Sequence, residues 1–486
     1  MTRAAEAVHV SSLFIDGTWA TPSTTDRIEV LSASAGAPIG SVPHAGRADV
    51  DAAVAAARRA FDDPTGWRTW EPAERADALD RLAAEMTARA EQTAARVSEQ
   101  NGMPISTAGQ LEGGFPIATV SYYAALLRES ITEETNPHML GGTSTTRKEP
   151  IGVVAAIAPW NFPQCLAAFK YAPALAAGCT VVLKPSPETV LDSELLAQAA
   201  EAAGLPAGVL NIVPGGRDTG AYLVQHPDVN KVAFTGSTGA GRAIAEVCGR
   251  LLRPVTLELG GKSAAIVLDD ADLDLTVIGE KLFGATMLNN GQTCFLGTRI
   301  LAPRSRYDEV VGAFEALVGT LVVGDALDPA TTLGPMVSAQ HRDRVEGYIA
   351  SGKQQGARLV TGGGRPAGLD NGWFVEPTVF ADVDNSFTIA REEIFGPVLS
   401  IIPFDDDADA IRIANDSPYG LGGSVWTTDE DRGMNVARQI QTGTIGVNTY
   451  LIDMFAPFGG VKDSGLGREL GPNAISTYQN IKTIFR

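Results

Sequence analysis

From residue 150 to about residue 260, short apolar runs alternate with amphipathic stretches. The runs are VVAAIAP (153–159), TVVLKP (180–185), VLNIVP (209–214) and KVAFTG (231–236). No polar face alternates within them, which predicts strands covered on both sides. The intervening stretches, 163–177, 188–203, 217–225 and 239–252, carry helical spacing. Strands alternating with helices of roughly 10–15 residues indicate βαβ units and a parallel sheet. This is the layout of a doubly wound, nucleotide-binding α/β domain, whose ligands meet the carboxyl ends of the strands.

The flanking regions read differently. The first 45 residues are rich in Thr, Ser, Pro and Gly and predict turns and short strands such as SLFIDGTW. Residues 47–62 and 71–101 predict amphipathic helices, with Asp49 placed to cap the first and Gly102 and Pro104 ending the second. Past LELGGKSAAIVL a second α/β region follows, roughly 259–465. Its helices, 306–322 and 338–356, lie among apolar strands such as WFVEPTVF, GPVLSIIPF and GTIGVN. A polar segment, 129–148, with Asn-Pro and Gly-Gly punctuation, predicts a protruding hairpin, and the terminal STYQNIKTIFR predicts a strand. Free strand edges are usually covered, so both invite pairing with another copy of the chain.

Composition narrows the function. At 44% hydrophobic and 20% charged, the chain is neither disordered nor fibrous. A length of 486 residues allows roughly two to four domains. The net charge of −19 argues against nucleic acid and anionic membrane surfaces as partners. The N-terminal MTRAAEAVHVSSLFIDGTW lacks an apolar core for a signal peptide, and no run reaches the roughly 18 residues of a membrane span. Four cysteines without a CxxC suggest a reducing, cytoplasmic setting, and five scattered histidines make a zinc site unexpected.

Several residues could carry chemistry. Cys294 follows the polar, turn-prone Asn289-Asn290-Gly291-Gln292-Thr293, whereas Cys165, Cys179 and Cys248 sit in apolar contexts and read as core. Glu258 lies in the apolar VTLELGGK; it is either a strand-end residue reaching solvent or a base raised by desolvation. Asn161, in PWNFP, is either a helix-capping turn residue or an oxyanion donor. The fingerprint G-x-G-x-x-G is absent, but Gly236-Ser237-Thr238-Gly239-Ala240-Gly241 opens a helix after a strand and suits a pyrophosphate. Lys184, ending TVVLK, is either solvated or directed at a ribose or phosphate.

Together, PWNFP (159–163), KPS (184–186), FTGSTGAG (234–241), ELGGK (258–262), GQTC (291–294), EEIFGPV (392–398) and PFGGVKDSGLGRELG (457–471) resemble the aldehyde dehydrogenase superfamily over essentially the whole chain. The resemblance implies an oxidoreductase with Cys294 as nucleophile and Glu258 as general base. It implies an oxyanion hole of Asn161 and the Cys294 backbone N–H, with Lys170 and Glu469 assisting proton movement. It places NAD at Ile157, Pro159, Trp160, Lys184, Ser186, Gly216, Gly220, Thr235, Gly236, Ser237, Leu259, Glu393 and Phe395. The implied substrate pocket involves Phe162, Leu166, Phe169, Phe295, Tyr450, Leu451 and Phe458, which are mostly apolar and predict a hydrophobic or aromatic aldehyde. No metal is implied.

The implied organisation is a cofactor-binding domain (1–128 and 149–258), a catalytic domain (259–465) and a bridging β arm (129–148 and 472–486). The arm implies a homodimer or homotetramer. Relatives preferring NAD often carry a glutamate three residues after the lysine. Here Pro187 stands there and Glu188 comes next, on the other face of a regular strand, so NADP stays open. A CoA-acylating or semialdehyde-specific enzyme, a Cys-dependent hydrolase and a non-catalytic binding relative are the competing readings. Retention of both Cys294 and Glu258 favours hydrolytic aldehyde oxidation.

Overall fold

The apolar runs and Val255–Glu258 form the parallel centre of an eight-stranded sheet in the structure, a computed structural model that describes residues 7–486. Across the sheet the order is Val255–Glu258, Lys231–Thr235, Val153–Ile157, Thr180–Lys184, Leu210–Ile212. Chain order reverses between Val153–Ile157 and Lys231–Thr235. The crevice beyond their carboxyl ends is therefore the switch point where such sheets take ligands. PWNFP leaves one strand and GSTGAG the other, so both motifs border it.

The sheet edges are antiparallel. At one, Leu13–Ile15 and Thr18–Ala20 form a hairpin closed by Asp16 and Gly17, both left-handed (φ 57° and 70°), as a type I′ turn requires. At the other, Gly465–Leu466 pairs with Val255–Glu258, which sets Gly459 against the Glu258 carboxylate and Gly467 against Thr256. A second sheet of seven strands, from Arg358–Thr361 to Gly446–Val447, is parallel except for its Arg358–Thr361 edge. A third, of three strands, joins Glu133–Pro137, Thr143–Pro150 and Gln479–Phe485. The doubly wound α/β class, the second α/β sheet and the small β arm all match the sequence reading. No helix among the described residues is long and apolar enough to cross a membrane.

Most helices fall where the spacing puts them, including Arg47–Asp62, Pro163–Ala177, Arg217–Gln225 and Ala339–Gln354. The differences have local causes. The first helix is capped by Gly46, and Asp49 acts from the third helical position by accepting the Gly46 N–H at 2.8 Å. The expected single helix 71–101 is two, Pro72–Thr87 and Ala90–Asn101. Arg89 leaves helical geometry at φ −114° and ψ 3°, and the Thr87 hydroxyl bonds back to the Ala83 carbonyl. Residues 188–203 split into a tight turn, Pro187–Thr189, and the helix Ser193–Ala202. WFVEPTVF pairs only from Thr378, because Pro377 has no N–H to give the ladder. A π-helical turn, Gly109–Gly114, has no counterpart in the sequence reading.

That turn matters for the site. Pro163–Ala177 is buried at every residue, so its first-turn N–H groups cannot be left to water. The Glu112 carboxylate, from the π-turn, accepts those of Gln164 at 2.8 Å and Cys165 at 3.4 Å.

Candidate active site

Cys294 is half-buried at the end of a loop that Asn289 and Asn290 bend through the left-handed region (φ 51° and 60°). The turn after Glu258 passes directly against it. A Cβ on Gly261 would lie 2.3 Å from the Cys294 carbonyl oxygen, so only glycine fits. Asn161 faces the same loop, its side-chain amide donating to the Gln292 carbonyl at 3.0 Å. Its own carbonyl accepts from Asn289 at 2.9 Å and Asn101 at 3.1 Å. These two asparagines fix the Asn161 backbone. Sequence reasoning misses Asn101 and has Asn289 only as a turn-former.

Glu258 ends its strand opposite Thr235 and is 2% exposed, which removes the solvent-reaching alternative. Both carboxylate oxygens are buried without a hydrogen bond of ordinary geometry among the described residues, although the Gly460 N–H lies toward them. Burial, followed by the Glu469 carboxylate, pushes its proton affinity well above the usual carboxylate range, while Lys170 and Arg468 pull against that. A Cβ on Gly459, at φ 153°, would lie 2.4 Å from Glu258 Oε1, so glycine keeps that side open. Lys170 Nζ donates to Thr235 Oγ1 at 2.6 Å and to Glu469 Oε1 at 3.0 Å. The Cys294 thiol is pushed up by burial and then by the Glu393 and Glu258 carboxylates.

The crevice has the features a dinucleotide needs. Ser237 caps the helix Thr238–Arg250, accepting the Ala240 N–H at 3.3 Å, and the helix N-terminus faces out beside Gly236. The Thr238 hydroxyl is engaged on the Asp463 carbonyl. Leu259 packs against Gly241, where any Cβ would collide with it at 2.4 Å. Lys184 is 6% exposed rather than solvated, and burial holds it down to about 8. It donates to the Pro185 and Gly215 carbonyls, each at 2.8 Å, beside Gly216 and Gly220.

The strand ends at Lys184, so strand alternation does not govern residues 185–188. Glu188 turns back from Pro187–Thr189 onto the Ser186 hydroxyl at 2.5 Å. The Thr235 hydroxyl, in the implied cofactor set, is turned to Lys170 instead. Ile157 is buried at its strand end, as is Pro159's neighbour Ala158, and Trp160 is half-buried. Trp160 stands edge-on to Phe395 at 5.3 Å, and Phe395 is held left-handed at φ 64°. His341, missed from sequence, touches both rings and hydrogen-bonds the Phe395 carbonyl at 2.6 Å. Burial pushes it down to about 4, so it is neutral and donates from Nε2. The Glu393 carboxylate accepts the Gly261 N–H at 2.9 Å and is pushed up to about 7 by burial.

On the other side of Cys294 opens a cavity of about 570 Å³. Phe162, Leu166, Phe169, Phe295, Leu451 and Phe458, all expected, line it. Tyr450 lies behind Phe295, ring centres 4.9 Å apart, with its hydroxyl on Thr444. Leu111, Phe115, Phe283, Leu288 and Ile452 also line the cavity and escape sequence reasoning, as does Cys165, which reads as core alone. Cys165 and Ile452 adjoin the expected Leu166 and Leu451, whereas Leu111, Phe115, Phe283 and Leu288 come from segments with no site reading.

The aldehyde dehydrogenase family model matches residues 19–484. A curated relative named geranial dehydrogenase, from Castellaniella defragrans, is 57% identical over 97% of this chain and 98% of its own length. A 3-succinoylsemialdehyde-pyridine dehydrogenase from a Pseudomonas species is 41% identical over 97% of each. The chain superposes on a Mycobacterium tuberculosis aldehyde dehydrogenase complexed with NAD+ at a TM-score of 0.96, with 48% identity over 99% of both chains. A Pseudomonas syringae aldehyde dehydrogenase mutant in complex with NAD+ and octanal matches at 0.94, with 39% identity over 98% of this chain and 96% of that one.

Proposed function

The chain belongs to the aldehyde dehydrogenase family and is an NAD-linked oxidoreductase, and from that premise we propose how its residues divide the work. Cys294 is the nucleophile, Asn161 the oxyanion donor and Glu258 the hydrolytic base. The observation that carries this is the Glu258 carboxylate, buried without a hydrogen bond of ordinary geometry among the described residues, at the end of the strand whose following turn presses against Cys294.

A thiol held above its ordinary range must first lose its proton, because only the thiolate is nucleophilic. That proton goes to solvent through the cavity beside Cys294, and Glu258, whose proton affinity is also raised, is kept for the hydrolytic water. The thiolate then adds to the aldehyde carbon, and charge moves to the carbonyl oxygen. The Asn161 amide has two protons, and only one is used on Gln292, so the other can meet the oxyanion. Such a donor is worth roughly 10²–10³ in rate.

The residues fit a dinucleotide: a capped helix N-terminus for the pyrophosphate, Lys184, Ser186 and Glu188 for the adenosine ribose, and the singly bonded Glu393 for the other ribose. Held there, NAD would supply the acceptor for the aldehyde hydrogen, taken as hydride. A thioester remains on Cys294. Glu258 takes a proton from an attacking water, the acid leaves, and Lys170 and Glu469 pass the proton on. Glu188 beside the ribose site disfavours a 2′-phosphate, so NAD is preferred to NADP.

The expected signatures are specific. Cys294→Ala should abolish NADH formation at 340 nm yet keep cofactor binding. Glu258→Gln should give a burst of NADH without steady turnover. Steady wild-type turnover in that variant, or product formation only with CoA, would overturn the scheme.

We also propose an apolar aldehyde as substrate, because the cavity beside Cys294 is walled by Phe115, Phe162, Phe169, Phe283, Phe295 and Phe458. A branched, unsaturated aldehyde such as geranial, for which the 57%-identical relative is named, fits that lining. Its kcat/KM should exceed that of betaine aldehyde at least about 100-fold, since each methylene buried in an apolar pocket is worth about 1–3 kcal/mol. Equal efficiency on the two would sink this preference. The acidic charge and four free cysteines support a cytoplasmic setting, and the β arm supports a homodimer or homotetramer.

A further inference from the structure

Four charged side chains share one buried region of the cofactor sheet, and the catalytic scheme uses three of them. Parallel pairing sets Thr235 beside Glu258 and Ala233 beside Thr256. Alternation then sends Lys231 and Thr235 of one strand to the same face as Thr256 and Glu258 of the next. The chain leaving Gly465–Leu466 runs along that face. A Cβ on Gly467 would lie 3.3 Å from Thr256 Cγ2, and two residues on, Glu469 meets Lys170 at 3.0 Å.

The unused member is Lys231. It is 2% exposed, as buried as Glu258. Its ammonium donates to Thr256 Oγ1 at 2.8 Å and stands 5.0 Å from the centre of the Tyr478 ring. It makes no ion pair within 4.0 Å among the described residues. A cation in such a place needs counter-charge nearby. Burial lowers it to about 8, while the Cys179 thiol, the Glu469 carboxylate and the Cys248 thiol pull the other way. Tyr478, the remaining titratable neighbour, is pushed far up by burial and stays neutral.

The Glu469 carboxylate raises the proton affinity of Glu258, so these two buried carboxylates resist carrying charge together. Lys170 compensates one of them. We propose that Lys231 is a positioning residue for thioester hydrolysis: its ammonium balances the second charge of the Glu258–Glu469 pair, so that Glu258 can stand ionised as the base. This rests on Glu258 being the hydrolytic base. Without Lys231, Glu258 would hold its proton to higher pH and would more often be unable to accept one from water. Lys170 and Arg468, the cations that act on Glu258 directly, would remain, since Lys231 acts through Glu469.

The test is rapid mixing of the full-length enzyme with NAD and an apolar aldehyde from pH 6 to 10. Lys231→Met should keep the NADH burst. The rising limb of its steady rate should move up by about one pH unit, about tenfold slower at pH 7. Lys231→Arg should restore the limb toward wild type. A Lys231→Met enzyme with a normal melting temperature and an unmoved limb overturns the proposal. Should that variant not fold, Thr256→Val, which frees the ammonium from its hydroxyl, must move the limb the same way, and an unmoved limb again overturns it. Glu258→Gln in parallel separates the two readings. If it turns over like wild type, the base assignment fails. If it stalls after the burst while Lys231→Met keeps the wild-type limb, only the role of Lys231 fails.

Discussion

At the scale of single residues, the site is a balance of charge around one thiol. The Cys294 proton is held by burial first and by Glu393 second. Glu393 itself is pushed up to about 7, so above that pH it is mostly ionised and opposes the thiolate. Glu393→Gln removes that charge. In the cofactor-free enzyme, Cys294 should then react with iodoacetamide several-fold faster at pH 8. The advantage should fade below about pH 6, where the wild-type carboxyl is already neutral. Turnover should fall in the same variant, because the proposed nicotinamide-ribose acceptor is lost. Equal alkylation rates at pH 8, read by mass spectrometry, would show that Glu393 does not govern the thiol.

At the scale of elements, sequence legibility tracks the range of the interaction. Pro163–Ala177 and Arg217–Gln225 are legible to the residue because their apolar spacing and flanking Pro or Gly are local signals. Lys184 reads equally as a solvated side chain because its burial depends on Gly215, which is far away in sequence. The position of Glu188 is misread when strand alternation is extended past the end of the strand. Cys294, Glu258 and Asn161 stand out only through motif order; spacing alone leaves each with an ordinary alternative. The π-turn Gly109–Gly114 leaves no periodic signal, yet it has two tasks. Gln110 and Leu111 line the cavity beside Cys294, and Glu112 caps the helix that begins just after Asn161. Burying an unsatisfied polar group costs about 1–3 kcal/mol. Glu112→Ala should therefore lower the melting temperature and cut kcat more than about tenfold by loosening Asn161. Glu112→Gln keeps an acceptor oxygen and should stay near wild type. Equal behaviour of the two in kinetics and melting would rule out the capping role.

At the scale of the whole molecule, one element is not explained by the chain's own core. Glu133–Pro137 is exposed at every residue, and Gln479–Phe485 at nearly every one. The arm nevertheless carries Ile131, Met139, Leu140, Ile481, Ile484 and Phe485, all exposed. Soluble monomers rarely leave so many large apolar side chains together in water, and both outer strands present unpaired backbone groups. Gln479–Phe485 pairs along its whole length with Thr143–Pro150, from Gln479 opposite Pro150 to Phe485 opposite Ser144. Its removal would therefore strip one edge of the arm while leaving both large sheets intact. Deleting residues 479–486 should shift the protein from dimer or tetramer toward monomer in light scattering after size exclusion. Tyr478 should be kept, because its buried ring packs against Lys231. The NADH burst should survive in the shortened chain, since no residue assigned to the chemistry lies beyond Glu469. An unchanged oligomeric mass would show that the arm is not the assembly surface. A lost burst at normal cofactor affinity would show instead that the arm supports the active site directly.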